Sequence, residues 1–266
     1  MNPLRFSLAL LLPLLAFAQA PNVADILRRS DEASKKNDPQ AELYAYREYI
    51  VKTEFDKNGR EQDHHTETWD VIGLEGSAYR KLIQRDDKPL ATKEQKSEDK
   101  RLTEETKKRQ KENTRPPKNG LFSRTYSIRF NSDSVHLFDV SYQGEEMVNG
   151  RPAYVIEGVP KASARPANDN EKELLYYRVK FWIDTIEFQH TRFEMEVVQP
   201  GSRMQQGSLI SAIFRRLDDG VWVMSEMQFN YDVRFFKVAG SQGKLLITHS
   251  DFHKFEVSSR VIDDPK

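Results

Sequence analysis

The chain has 266 residues, 41 of them basic and 41 acidic, and it contains no cysteine. A formal charge of zero leaves no global basic field of the kind nucleic-acid binding uses, and the lack of cysteine excludes a small disulfide-stapled scaffold. A hydrophobic core must therefore do the stabilising, and no apolar stretch beyond the first twenty residues suggests a membrane span.

Arg5 gives a positive start, Phe6 to Phe17 an apolar run of about a dozen residues, and small residues follow, which is the pattern of a secretory signal peptide over residues 1–20. Cleavage after Ala18 or Ala20 satisfies the small-x-small rule, and Pro21 disfavours the second. The expectation is an exported chain, periplasmic or secreted, without a lipobox cysteine, whose residues 21–266 form one domain. Asn22 can cap a helix from Asn22 to Lys36 that carries Val23, Ile26 and Leu27 on one face and ends at Asn37-Asp38-Pro39.

Leu43 to Phe55 then alternates as a strand, Asn58-Gly59 signals a hairpin, Arg60 to Ile72 returns, and Glu75-Gly76-Ser77 turns into a third strand, Ala78 to Arg85. From Lys88 to Glu112 charged residues and Gln dominate. Spacings such as Glu105 to Arg109 support a helix, but the segment has no apolar stripe to bury. It predicts a solvated helix projecting from the sheet, within a charged insertion over about 88–119 that closes in Arg115-Pro116-Pro117-Lys118-Asn119-Gly120. Its functional reading is an arm that docks an envelope partner. Leu121 to Phe130 fits helix and strand equally. Val135 to Tyr142 reads as a strand, Asn149-Gly150 as a hairpin, Ala153 to Val159 as the return strand, and Lys161 to Glu173 as a polar loop.

A long antiparallel meander follows. In Leu175, Tyr177, Val179, Phe181 and Ile183 every second side chain is large and apolar, and Phe193, Met195 and Val197 alternate with His190, Arg192, Glu194 and Glu196 on the other side. Leu209 to Arg215 is apolar on both sides. After Asp218-Asp219-Gly220, the stripe Val221, Val223, Ser225, Met227, Phe229, Tyr231 and Val233 is the longest in the chain. Ala239 to Gly243 reads as a glycine-bearing loop and Leu245 to Val257 as the last strand.

Catalytic signatures are missing: there is no G-x-S-x-G elbow, no H-E-x-x-H, no P-loop and no G-x-G-x-x-G. His249, Asp251 and His253 would share one face of a regular strand and could ligate zinc or iron, which supports an alternative reading as an exported metal-dependent hydrolase. A bulge there would separate them. His64 and His65 point to opposite faces, and Glu194 with Glu196, about 7 Å apart on one strand face, read as a solvated outer surface.

The meander carries large apolar groups on both faces, with Trp182 opposite Phe181 and Trp222 opposite Val223. Burying one such side chain contributes roughly 1.5–3 kcal/mol, so both faces call for cover. The sheet must fold over itself or keep an apolar cavity for a lipid-like ligand. Tyr177, Phe181, Phe193, Met195, Met227, Phe229 and Tyr231, each on the more apolar face of its strand, are the candidate lining of that cavity; which face points inward is not readable.

Four stretches carry a family likeness: Tyr44-Ala45-Tyr46-Arg47-Glu48 after the helix, Val148-Asn149-Gly150-Arg151-Pro152-Ala153-Tyr154, Val179-Lys180-Phe181-Trp182-Ile183-Asp184 leading into Arg192-Phe193-Glu194, and Gly207-Ser208-Leu209 ahead of Trp222. With these the chain resembles the LolA, LolB and LppX type of periplasmic lipoprotein carrier. The resemblance implies a mainly β (α+β) fold, a strongly curved antiparallel half-barrel with an N-terminal helix, and a binder of lipid or acylated ligands without cofactor or catalysis. The charged Lys88 to Glu112 segment departs from that pattern. A packed envelope interaction module without ligand is the further alternative.

Overall fold

The computed structural model describes residues 21–112, 134–199, 204–235 and 239–254. The residues 1–20 read as a signal peptide, the expected Arg115 to Gly120 linker and the ambiguous Leu121 to Phe130 segment lie outside the described residues. Helix α1 (Val23–Ala41) leads into β1 (Tyr44–Phe55), β2 (Glu61–Leu74), β3 (Ser77–Arg85) and the short β4 (Lys88–Pro89), followed by α2 (Thr92–Glu112). After a 3-10 turn at Val135–Leu137 come β5 (Phe138–Val148), β6 (Arg151–Pro160) and a short helix α3 (Asp169–Leu174). The meander then runs through β7 (Tyr177–Asp184), β8 (His190–Val197), β9 (Leu209–Arg216), β10 (Trp222–Phe235) and β11 (Ala239–Lys254).

All eleven strands form one antiparallel sheet in the order β4-β3-β2-β1-β11-β10-β9-β8-β7-β6-β5. Every neighbour pair is consecutive in sequence except β1 with β11, so two meanders are sewn along a single seam. The ends β4 and β5 do not pair, and the sheet stays open. It is nevertheless strongly curved. Flat, β6 and β10 would stand four strand spacings apart, about 19 Å, yet the Arg151 guanidinium lies 5.4 Å from the centre of the Trp222 ring. At the same end Asn149, in the β5–β6 turn, donates to the Phe214 carbonyl of β9 at 3.4 Å.

Bulges help bend the sheet and re-aim its side chains. Register shifts interrupt six strand pairs, among them β9–β10 at Met224/Glu226. That shift breaks the stripe expected from Val221 to Val233: Val221 and Val223 pack with Tyr44 in a small separate cluster, while Met224 and Met227 join the main core. Ala239 to Gly243 pairs with β10 from Phe235 to Tyr231 and is strand, not loop. The polar loop contains α3, whose cap is the Asn168 side chain accepting the Glu171 N–H.

Helix α1 starts where expected, with the Asn22 side chain accepting the Asp25 N–H at 3.3 Å, but it runs through Pro39 to Ala41. A proline in the last turn forgoes one hydrogen bond, and Gln40 Nε2 donates to the Lys36 carbonyl beside it. Ile26 and Leu27 enter the core, Asn37 exchanges two 2.8 Å hydrogen bonds with the Trp222 backbone, and Arg29 lies 3.5 Å over the Phe188 ring. The helix is thereby stitched to the β7–β8 and β9–β10 ends of the curved sheet.

The outer face is closed differently. Trp182 is buried beneath Lys180 and Arg192, whose charges lie 4.7 and 4.6 Å from its ring, and its indole N–H donates to Glu146. Long charged side chains can cover apolar surface with their stems, which answers the need for cover on the second face.

The charged helix forms, but it lies along the sheet edge instead of projecting. The Glu98 carboxylate accepts the Leu82 N–H at 3.2 Å, Arg101 donates to the Arg80 carbonyl at 2.7 Å, and Arg109 donates to the Leu74, Ser77 and Ala78 carbonyls at 3.0–3.2 Å. Lys81–Asp99 and Arg85–Glu94 add ion pairs. An exposed strand edge invites pairing with other chains, and α2 occupies part of this one. It begins at Thr92 because Asp86 and Asp87, both at positive φ, form a tight turn that spends Lys88 and Pro89 on β4.

Candidate functional site

The register places one continuous line of side chains across the inner face. From β5 to β1 it reads Tyr142, Ile156, Phe181, Phe193, Ala212, Met227, Ile247 and Ile50, each paired with the next on the neighbouring strand. On β2 and β3 the same line continues as Glu67 and Arg85. The adjacent line reads Val179, Met195, Ile210, Phe229 and Leu245, then Lys52 and His65. Along these two lines the inner face is apolar from β6 through β11 and charged on β2 and β3, with β1 as the boundary; one step further along β2 it turns apolar again at Trp69 and the buried Val71.

Residues Tyr177, Phe181, Phe193, Met195, Met227, Phe229 and Tyr231 all lie on this inner side of the sheet. Tyr177, Phe181, Met195 and Met227 are buried in the main core, whereas Phe193 and Phe229 pack against it half-buried. Tyr231 is half-buried, and its ring lies over Gly243, where a Cβ would collide with its hydroxyl. Phe214, Leu245, Ile247 and Ile50 belong to the same surface and were not singled out in the sequence. For Leu245 and Ile247 a signal existed, since they share a strand face. For Phe214 the two-sided apolar character of β9 hid it. Gly158 makes room in the core: a Cβ there would stand 2.9 Å from Val179.

Two polar groups sit within this surface. His190 packs edge-on to Phe181, with ring centres 5.5 Å apart, and its Nε2 lies 3.3 Å from Ser30 Oγ on α1. Its Nδ1 is enclosed without a hydrogen-bond partner. Burial drives its pKa down to about 4, and Asp31 only partly opposes this, so the imidazole is neutral near pH 7. At the seam, His249 Nδ1 is 3.1 Å from the Met224 carbonyl and Nε2 is 3.3 Å from Glu48, which also pairs with Arg80. Burial opposes ionisation of Glu48, but His249 and Arg80 outweigh it and hold the carboxyl below its ordinary value.

The candidate metal ligands are not brought together. A register shift between Ala45 and Arg47 bulges β11 opposite them, with Asp251 at φ 53. His249 is buried against Glu48, whereas Asp251 and His253 are exposed, Asp251 facing Arg47 at 3.5 Å. Among the described residues no group of three His, Asp or Glu side chains could hold a metal ion. Glu194 and Glu196 are engaged by Arg192 and Arg178 on their own face. Nor is any helix among the described residues long and apolar enough to cross a membrane.

No protein-family model matches the chain, and no curated protein matches it. Solved structures similar to it include a candidate outer membrane lipoprotein-sorting protein domain from Vibrio parahaemolyticus, at 12% identity and TM-score 0.40 over 87% of this chain and 93% of that one. A LolA superfamily protein from Nitrosomonas europaea shares 12% identity at TM-score 0.31, over 89% and 95% of the two chains. The Mycobacterium tuberculosis lipoprotein LppX shares 12% at TM-score 0.30, over 90% and 97%. The last two bear the names of the carrier group that the sequence resembles; at these values nothing about ligand or residue roles follows from the likeness.

Proposed function

We propose that the protein is an exported, non-enzymatic binder of a lipid or lipidated ligand, held without covalent chemistry on the inner apolar face of the curved sheet. The observation that carries this is the half-buried state of Phe193, Phe214, Phe229, Leu245 and Ile50, which form the apolar surface next to the fully packed core under α1. Five large apolar side chains left half-wet on a concave surface forgo part of the roughly 1.5–3 kcal/mol that burial of each contributes, and an acyl chain laid across them would recover it. The abrupt change to Glu67, Arg85, Lys52 and His65 on the same lines suits an amphiphile, with its apolar part on β8–β11 and its polar end toward β1–β3.

Displacement of a neutral fluorescent apolar probe, N-phenyl-1-naphthylamine, by lysophosphatidylcholine tests this reading. The wild-type protein is expected to bind the probe saturably and to release it to the lipid. Phe229→Asp, at a half-buried position, is expected to remain folded and to lose most of the binding. Unchanged binding by folded Phe229→Asp would refute the assignment of this face.

A further inference from the structure

The charges of α2 are sorted onto opposite sides of the helix. At about 100° per residue, Glu94, Glu98, Leu102, Glu105 and Arg109 share the side turned to β3, and all five are half-buried. Lys93, Lys96, Lys100, Lys107 and Lys111 fall along the opposite side, and all five are exposed. The acid on that outer line is Glu104, 3.7 Å from Lys100. Among the described residues no ion pair engages Lys93, Lys96, Lys107 or Lys111. Formal net charge is zero, so the acids consumed at the β3 contact leave a local positive surface, about 27 Å long at 1.5 Å per residue, on a chain that has no basic excess as a whole.

We propose that this lysine line is a docking surface for an anionic lipid bilayer. Its composition favours a membrane over a protein partner: the line carries no arginine, aromatic or other apolar group, whereas protein interfaces are enriched in Tyr, Trp and Arg and depleted in Lys. Ammonium groups on flexible stems are hydrated point charges without directional demands, and they suit a diffuse layer of anionic headgroups. Attraction of this kind adds lysine by lysine and falls off within a Debye length. A ligand-binding face and a membrane-docking face on one molecule would let a lipid be exchanged at a bilayer surface, but the docking surface stands independently of the ligand.

Co-sedimentation of the mature full-length chain with vesicles tests it. The wild-type protein is expected to bind vesicles of phosphatidylcholine with 30% phosphatidylglycerol, to ignore pure phosphatidylcholine, and to be released by 0.5 M salt. The variant Lys93→Gln, Lys96→Gln, Lys100→Gln, Lys107→Gln, Lys111→Gln alters side chains that face away from β3, and it should keep its circular dichroism while losing on the order of 1,000-fold in partitioning. Neutralising the exposed Lys35, Lys36, Lys57 and Lys172 instead should lower partitioning by less than fivefold. The proposal is overturned by equal binding to neutral vesicles, by wild-type partitioning of the five-lysine variant, or by an equal loss in the control. Binding to an acidic protein with no vesicle binding overturns it too. Phe229→Asp should bind vesicles as the wild type does, so a failure of the lipid-binding reading and a failure of this one are read separately.

Discussion

The two ends of this sheet are closed by opposite chemistry. Under α1, strands β5–β10 bury Ile26, Leu27, Phe138, Ile156, Phe181 and Met227 in one apolar cluster, whereas along β3 the helix α2 offers Glu98, Arg101 and Arg109 to backbone groups. Burial of apolar area is non-directional and roughly proportional to area. A charged side chain bonded to a strand edge contributes only by meeting particular N–H and C=O groups, which would otherwise be left to water. One end should therefore resist charge and the loss of apolar volume, and the other should tolerate charge in solution but not the loss of a particular donor.

Breaking the apolar end has the larger expected effect. Phe181→Ala should cost about 3–5 kcal/mol, read as a fall in the urea midpoint with little change in slope; a loss under 1 kcal/mol would mean that the inner face is not packed as described. A buried ion pair at the same end gives a comparable test by charge. Asp184 is fully buried, and burial opposes its ionisation, but Arg151 and the Ile186 and Glu187 amides overcome this and keep its pKa below the ordinary value. Arg151→Ala strands that carboxylate and should cost about 3 kcal/mol or more.

His190 sharpens the comparison through pH. Its folded pKa of about 4 lies below the unfolded value near 6.5, so the unfolded chain takes up its proton first as pH falls. This part of the stability, about 3 kcal/mol, is present above pH 6.5 and is lost as pH falls towards 4. Glu48 and Asp184, also depressed, contribute with the same sign below the ordinary carboxylate range. His190→Phe should flatten the slope of stability between pH 4 and 6.5, and an unchanged slope would place the ring in water. At the charged end Arg109→Ala should cost about 1–3 kcal/mol and speed hydrogen exchange at Ala78 and Leu82 more than at Phe181. Equal protection of β3 in the variant would show that α2 is not needed to shield that edge.

What the sequence made legible follows the same division. Alternation identified the strands of both meanders, and Asn58-Gly59, Glu75-Gly76 and Asn149-Gly150 marked turns that the backbone adopts. The candidate lining from Tyr177 to Tyr231 falls on one side because β7 and β8 alternate regularly across the face that α1 covers. The bulge at Ser225 was invisible, and the one at Asp251 stood only as an alternative; at each a single extra residue reverses every side chain beyond it, which splits the β10 stripe and separates His249 from His253. The stripe of α2 was also present at helical spacing, as Glu94, Glu98, Leu102, Glu105 and Arg109. It is a stripe of hydrogen-bonding groups, and a search for hydrophobic period passes over it.

The central claim is that the half-buried apolar face between β8 and β1 holds an amphiphile. Native mass spectrometry of the mature protein, purified from a periplasm without detergent, tests it most directly. The account predicts an added lipid-sized mass that is retained by the wild-type chain and missing from folded Phe229→Asp. A clean apo mass for the wild-type protein, together with no uptake of added lysophosphatidylcholine, would contradict it and leave the inner face as packed core alone.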